Sequence, residues 1–517
     1  RRAEATMTRV ASLAVAMALG FLAWPLQARG KHIAVLGGMM KSHHLSVVPM
    51  IEGLLERGHN VSFLMPATTE VRSYFPDGIG HANMVYLGTQ DWSFDRLFSD
   101  QDVDLKNMQW HMKIVAIARI LWSYRAALEK PMFSMHEELV DWIKQPGTDA
   151  VLLHMASLGA VPVVEASGIP FVGYLSIPPV PFFFVHDADE ACRFPNMLNP
   201  PRVDDLKSSL MARVANHMLC RFLQGYMMVA EHEISAIYRM KGLALPRGGL
   251  MKMLTNVPHG IVVGGPPLAL KVPLSPGVHL VGSVDKPRPS PIPSEMLAWL
   301  DAAKDAGVPV MYISLGTKYE FTRATCTLLV ATLHEMIDRL GLRILWSLRA
   351  SQQEKLASLL PNPGASIRIE KFTPQPEVLQ HGGVKIFLSH CGWGGVTDTV
   401  NAGVPVLAYP GMSEQFINAR GLEDAGAGIM LSGDFSNLLA STKVLLEDHP
   451  KYASASRAAG DVLRSYGGLG RALEVVEAAA HGRYLTPDVK THAMMSDVDP
   501  FFRVPQVAEQ WISLGLF

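Results

Sequence analysis

The chain has 517 residues, 49% of them hydrophobic and 18% charged, enough to enclose two sizeable cores. Its formal net charge of -1 argues against a nucleic-acid partner or a general attraction to acidic surfaces. Four cysteines, Cys192, Cys220, Cys326 and Cys391, form no C-x-x-C pair, so neither a metal site nor a disulfide framework is expected.

From Met7 onward, Arg9 precedes an apolar run over 10–24 that ends in Pro25-Leu26-Gln27-Ala28. The run is short for a membrane span and has the order of a secretory signal peptide. Residues 1–30 are therefore read as a leader, and the protein as entering the endoplasmic reticulum lumen or being secreted, with an uncleaved anchor or a buried helix as the alternatives. Next, 32–36 (HIAVL) reads as a strand, followed by Gly37-Gly38, a helix ending near Arg57-Gly58-His59, and a second strand over 60–64. No G-x-G-x-x-G follows the first strand, which counts against a nicotinamide or flavin dinucleotide. His43 and His44 stand between that strand and its helix. Pro49 would disrupt a helix interior, so the helix is expected to start near it and leave His43 on the loop. A histidine there either caps the helix or, with a pKa near neutrality, takes a proton from a substrate hydroxyl.

Residues 105–143 read as largely helical. Strands follow at 148–153 (TDAVLL), with His154 directly after, and at 170–174 (PFVGY). From 174 to 243 the chain is rich in Pro, Met and aromatic residues, a composition that suits an apolar pocket as well as an ordinary core. The Pro-rich run over 264–293 is read as an interdomain linker, bounded at 271–294. A second unit (295–480) begins with a helix over 295–303, a strand over 309–315 and the turn Gly316-Thr317, whose hydroxyl and amides suit an anion. Strands at 343–348 and 367–370 continue the β/α alternation. Beyond 431 the chain reads as helical to about 480, with a tail over 481–517.

The densest stretch is 372–419. It holds apolar runs at 384–388 (VKIFL) and 406–408 that read as parallel strands, each leading through a glycine-containing loop into a helix. The first loop carries Ser389, His390 and Cys391, then Gly392, Gly394 and Gly395. Glycines there let backbone amides approach an anion, the helix N-terminus favours negative charge, and His390 can add a hydrogen bond to phosphate. In an open sheet, ligands sit at strand carboxyl ends. A phosphate-bearing ligand is what these residues imply.

The order Phe372-Thr373-Pro374-Gln375, His390-Cys391-Gly392, Asp398, Gly403-Val404-Pro405, Glu414-Gln415 and Asn418-Ala419 resembles the donor-binding signature of the UDP-glycosyltransferases, inverting sugar transferases of the GT-B fold. The resemblance implies an α/β fold of two Rossmann-like, doubly wound domains facing one another across a cleft. The first (31–270) would hold the acceptor and the second the UDP-sugar. It places Phe372 on the uracil, Gln375 near the base and ribose, and His390 on the diphosphate beside Gly392, Gly394, Gly395 and Thr317. Asp398 would bind the ribose hydroxyls, and Glu414 and Gln415 the transferred sugar. Ser42-His43 matches the position of the family's catalytic base. The chain departs from the pattern at Phe372 (family Trp), Gly394 (Asn), Gly395 (Ser), Asp398 (Glu) and Glu414 (Asp).

At the strand end where the family carries the aspartate that orients this base, the chain has His154, which could hydrogen-bond His43 but brings no negative charge. Either another acid such as Asp149 supplies the charge, or turnover relies on histidine alone. The implied reaction moves a hexose, with glucose favoured by Gln415, to a hydroxyl of a sterol, lipid or phenolic acceptor. No metal or other cofactor is expected. A non-catalytic UDP-sugar or lipid-binding protein and a nucleotide-sugar epimerase or hydrolase are the alternatives.

Overall fold

The structure, a computed structural model, describes residues 30–38, 41–88, 137–155, 157, 159–178, 192, 209–240, 242, 257–269, 274–284, 290–316, 319–361, 364, 366–411 and 414–485. The leader, most of the expected helix over 105–143, residues 179–191 and 193–208 of the Pro- and aromatic-rich segment, Thr317 and the tail beyond 485 lie outside the described residues.

Two parallel sheets form the framework. The first contains β1 (His32–Leu36), β2 (Asn60–Pro66), β3 (Asn83–Leu87), β4 (Ala150–His154), β5 (Phe171–Leu175), β6 (Gly260–Val263) and β7 (Val278–Gly282), in the spatial order β3-β2-β1-β4-β5-β6-β7. Helices α1 (Lys41–Glu56), α2 (Thr69–Arg72), α3 (Ala160–Ser167) and α4 (Leu210–Met240) are interleaved with these strands. The second sheet contains β8 (Val310–Ser314), β9 (Arg343–Ser347), β10 (Ile367–Glu370), β11 (Val384–Ser389), β12 (Val406–Ala408) and β13 (Gly428–Met430), ordered β10-β9-β8-β11-β12-β13. Its helices are α5 (Ser294–Asp305), α6 (Arg323–Leu340), α7 (Ala350–Lys355), α8 (Gln375–Gln380), α9 (Trp393–Ala402) and α10 (Gln415–Asp424). The chain closes with α11 (Leu438–Glu447), α12 (His449–Ser465) and α13 (Gly468–Ala480).

This is the expected pair of doubly wound α/β domains. β4 and β5 are buried along their whole length, as befits strands covered by helices on both faces. Each sheet reverses its winding once, between β1 and β4 and between β8 and β11. Those reversals open crevices at the carboxyl ends of the strands, where open α/β sheets bind ligands.

The structure corrects the sequence reading in several places. The stretch expected as linker contains β7, the edge strand of the first sheet, and Gly264 N–H donates to the Gly282 carbonyl across it at 2.7 Å. Among its described residues, Pro276 and Gly277 form the turn that leads into β7, and Gly282 ends the strand. The helix after β1 starts at Lys41 and runs through Pro49, so His43 lies in its first turn. The apolar face formed by Val47, Val48, Met50, Ile51, Leu54 and Leu55 is buried, which offsets the one backbone hydrogen bond a proline removes. Cys192 and Cys220 form a disulfide, a single link that their 28-residue separation does not advertise. Cys326 and Cys391 are free and buried.

The last two helices return to the first domain. Leu473, Val475, Val476 and Ala479 of α13 share one core with Ile33, Val35, Val47 and Ile51. Gly53 admits this approach, since a Cβ there would lie 2.6 Å from Leu473 Cδ1. Glu477 then pairs with Arg57 at 2.8 Å and with His59 at 3.0 Å. Gly282 (φ +72°) leaves only enough space for the Leu463 carbonyl of α12, which would stand 1.9 Å from an added Cβ. Among the described residues no helix is long and apolar enough to cross a membrane.

Candidate active site

The first crevice is built by the loop after β1 and the end of β4. Gly37 and Gly38 make room for two imidazoles: a Cβ on Gly37 would lie 2.3 Å from His44 Nδ1, and one on Gly38 would lie 2.6 Å from His43 Nδ1. The two rings point differently. His44 is buried against Phe63 and Tyr74 and neither of its nitrogens has a partner, so it belongs to the core. His43 is half-buried and lies flat against His154, with ring centroids 4.5 Å apart and planes 20° from parallel.

That stacking replaces the edge-to-edge hydrogen bond anticipated from the sequence. His154 is 1% exposed, and its Nε2 is 2.9 Å from Ser176 Oγ, whereas Nδ1 of His43 is buried without a partner. Asp149 does not supply the missing charge. It stands five residues before His154, roughly 16 Å back along the strand at ~3.3 Å per residue. There it accepts from the His32 backbone at 2.8 Å and pairs with Lys31 at 2.9 Å. Ser157 ties the two loops together by donating to the Gly37 carbonyl at 2.8 Å. Neither Ser157 nor Ser176 belongs to a motif; their relevance follows from the strand register that sets Leu36 beside Leu153 and His154 beside Tyr174.

The second crevice is built by the loops after β8 and β11. The His390 ring lies between Gly316 (φ +76°) and Gly392, either of which would bring an added Cβ to 2.6 Å from Nε2. Gly392 caps α9 without a side-chain bond, so the amides of the first turn are free to face an anion. Cys391 adopts φ +62°; its amide bonds Ser389 Oγ at 3.0 Å and its carbonyl accepts from Asn418 Nδ2 at 2.9 Å. Those bonds hold the loop in shape and give Cys391 a packing role.

Gln375 and Asp398 are brought together, Nε2 donating to Oδ2 at 2.8 Å, and Gly395 sits beside Gln375 and Ser389. Tyr312, unmarked by any motif, backs this pair through Thr373 at 2.6 Å and Gln375 at 3.4 Å. Phe372 is 76% exposed, an aromatic face open to a stacking partner. Gly394 is exposed with nothing within 4 Å of an added Cβ. Glu414 and Gln415 open α10, with Gln415 Oε1 accepting from the Gly411 amide at 2.9 Å. Thr317 lies outside the described residues. Among the described residues no cluster of His, Cys, Asp and Glu has the makings of a metal site.

The loop after β11 touches the first sheet. Trp393, the first residue of α9, and Pro178, just beyond β5, both pack against Gly264 at the end of β6. The loop after β11 therefore abuts the loop after β5 that also carries Ser176.

Burial sets the electrostatics. It lowers the pKa of His43 to about 4 and that of His44 to about 3, the latter with help from His43. It also holds His154 well below the usual histidine range, with His43 and His44 adding to the effect. His390 falls to about 4 through burial, against a smaller opposing influence of the Ser314 backbone. All four are neutral near pH 7, so His390 offers a phosphate a hydrogen bond and not a charge.

A stability consequence follows. In the unfolded chain His43 and His390 bind protons below about pH 6.5, whereas in the folded chain they do not until about pH 4, and His44 not until about pH 3. The unfolded state thus holds more protons inside that window, and stability falls as pH drops from 6.5 toward 4, by up to about 1.4 kcal/mol per pH unit for each buried histidine. Urea midpoints measured between pH 4.5 and 7 should rise with pH, and His44→Phe should flatten the slope; a slope unchanged by that substitution would remove His44 from the account.

Comparisons with known proteins bear on the whole chain. The model of a family described as UDP-glucoronosyl and UDP-glucosyl transferase matches residues 33–450. The chain is 23% identical over 411 residues to UDP-glucuronosyltransferase 1A8 of Homo sapiens, covering 76% of this chain and 71% of that protein. It is 35% identical over 142 residues to UDP-glycosyltransferase 84B1 of Arabidopsis thaliana, a match that spans only 30% of that relative's length and 27% of this chain. Among solved structures, the glycotransferase of kitacinnamycin superposes with a TM-score of 0.59 at 17% identity, covering 87% of this chain and 99% of that one. Arabidopsis thaliana UGT89C1 complexed with UDP gives a TM-score of 0.55 at 17% identity, over 87% of this chain and 99% of that one. These likenesses confirm the GT-B fold. With a family model covering residues 33–450 of the chain and two doubly wound parallel sheets, this protein belongs to the UDP-glucoronosyl and UDP-glucosyl transferase family.

Proposed function

We propose that the protein transfers a hexose, glucose in the first instance, from a UDP-sugar to a hydroxyl of an apolar small-molecule or lipid acceptor, with inversion at the anomeric carbon. The observation that carries this reading is the placement of a histidine at the winding reversal of each sheet, His43 after β1 and His390 after β11. His43 Nε2 takes the acceptor proton as the acceptor oxygen forms its bond to the anomeric carbon. The bond from that carbon to the UDP oxygen breaks on the opposite face. Charge growing on UDP is met by His390, the first-turn amides of α9 and Thr317 in place of a metal ion. Phe372 covers the uracil, Gln375 and Asp398 hold the ribose, and Glu414 and Gln415 hold the sugar. Positioning both substrates in line supplies much of the rate.

The names of relatives support a small-molecule acceptor. They include Anthocyanidin 3-O-glucosyltransferase 2 of Fragaria ananassa, and Arabidopsis thaliana UGT89C1 has been solved complexed with quercetin. A secretory location is supported by the apolar leader sequence and by the Cys192–Cys220 disulfide, since such bonds persist in oxidising compartments.

The test is UDP release from UDP-glucose, UDP-glucuronate and UDP-N-acetylglucosamine, with and without phenolic and sterol acceptors. Release that requires an acceptor is the expected result. Acceptor-independent release would favour an epimerase or hydrolase, and UDP binding without any release would favour a binding protein whose chemistry was lost at His154.

A further inference from the structure

We propose that this enzyme is selective for acceptors whose hydroxyl is already acidic, phenols above all, and discriminates against aliphatic alcohols such as sterols, because the group stacked behind His43 is the imidazole of His154 and, among the described residues, no carboxylate stands there. This inference rests on His43 being the base of the proposed transfer. The surroundings of His43 support it from each element that packs there. On its own helix stand His44 and Ser46, the latter donating to the His43 carbonyl at 2.9 Å. Gly38 crowds its Nδ1 edge. From β4 comes His154, stacked on its face at 4.5 Å, and behind His154 stand Tyr174 and Ser176. Among the described residues no Asp or Glu side chain reaches the His43 ring, and Asp149 is held by Lys31 and His32 at the opposite end of the strand.

When a proton arrives at Nε2, the imidazolium must therefore form with Nδ1–H unpaired and with two more imidazoles, His44 and His154, at close quarters. A carboxylate in the place of His154 would accept from Nδ1–H and stabilise that cation. Without it His43 is a weak base, and the proton must come from a group that releases it readily. A phenolic hydroxyl titrates near ~10 and an aliphatic one near the ~15.7 of water, so the alcohol faces a much steeper transfer. Proton-transfer efficiency tracks that difference through the Brønsted relation.

The measurement is kcat/KM for 2-naphthol and for its saturated counterpart decahydro-2-naphthol, which share one carbon skeleton, with the UDP-sugar that supports release. The wild-type chain should prefer the naphthol by at least about a hundredfold. His154→Asp should raise turnover of the saturated alcohol by about tenfold or more and narrow the gap, whereas His154→Asn, similar in shape but uncharged, should not. Comparable kcat/KM for the two acceptors in the wild type would overturn the inference while acceptor-dependent release still upheld the transferase. Equal narrowing by Asp and Asn would overturn it as well, since charge would not be the cause. Failure of both acceptors to stimulate release would remove the transferase reading and this inference with it. The wild-type ratio needs no variant to fold.

Discussion

His43→Gln is expected to lower acceptor-dependent turnover by about 10²–10⁴-fold while leaving UDP affinity unchanged. Glutamine keeps a polar side chain of similar reach in the slot beside Gly38 but cannot take the acceptor proton. The proposed donor contacts, from Phe372 to Gln415, lie on the second sheet and its loops, so a change in the first turn of α1 does not touch them. Single-turnover rates and calorimetric UDP titration separate the two quantities. Turnover that survives the substitution would remove His43 as the base, and a parallel loss of UDP affinity would point to a disturbed cleft. The pH profile adds a second readout. The base must be neutral, and burial lowers its pKa to about 4, so kcat/KM should stay level from pH 8 to about 5 and fall only below that. A fall centred near 6.5 would mean that a solvated histidine, not this one, is titrating.

Gly282→Ala is expected to destabilise the protein by about 2–5 kcal/mol, the largest effect on stability among the substitutions considered. Two costs add at this position. The backbone has φ +72°, where an L side chain is strained, and the new methyl would meet the Leu463 carbonyl at 1.9 Å. Backbone, not a flexible side-chain end, must give way, so α12 is pushed off the edge of the first sheet. Tyr466 follows Leu463 closely and donates to the Pro266 carbonyl at 3.1 Å, so that contact goes too. Chemical denaturation followed by two probes, intrinsic tryptophan fluorescence and far-UV circular dichroism, reads the loss. A midpoint unchanged from wild type would show that the α12 packing contributes little.

The fold was legible where patterns were long or repeated. β1 and β10 coincide with their apolar runs, and β8, β9 and β11 fall within a residue or so of theirs. β3, β6, β7 and β13 were not legible, because strands of three to five residues flanked by glycine and proline look like turns until a neighbour pairs with them. The second crevice was legible for a different reason: the glycine-rich turn around His390 and Gly392 follows directly on an apolar run, and the family resemblance adds Gln375 and Asp398 to it. The first crevice draws on residues more than a hundred positions apart, so the register of β1 on β4 had to be known before His43 and His154 could be set face to face. Pro49 misled because a helix tolerates one missing amide when its apolar face is well buried. The sequence placed an uncharged residue where charge was expected, but the stacking of the two rings, and the diversion of Asp149 to the far end of the strand, emerge only in three dimensions.

The return of α13 makes the first domain discontinuous in the chain, and that has a bearing on synthesis. Residues from both extremes of the described chain, Ile33 and Val35 at one and Val475, Val476 and Ala479 at the other, share a single core. A ribosome delivers them in strict order, so the first sheet emerges and then waits, with one side of α1 uncovered, while the second domain is made and folded. Only when the final helix clears the exit tunnel can Glu477 reach Arg57 and His59 and seat the helix that carries His43. Any chimera that exchanges first domains between relatives must therefore carry two pieces, the leading sheet and its closing helix, from the same parent.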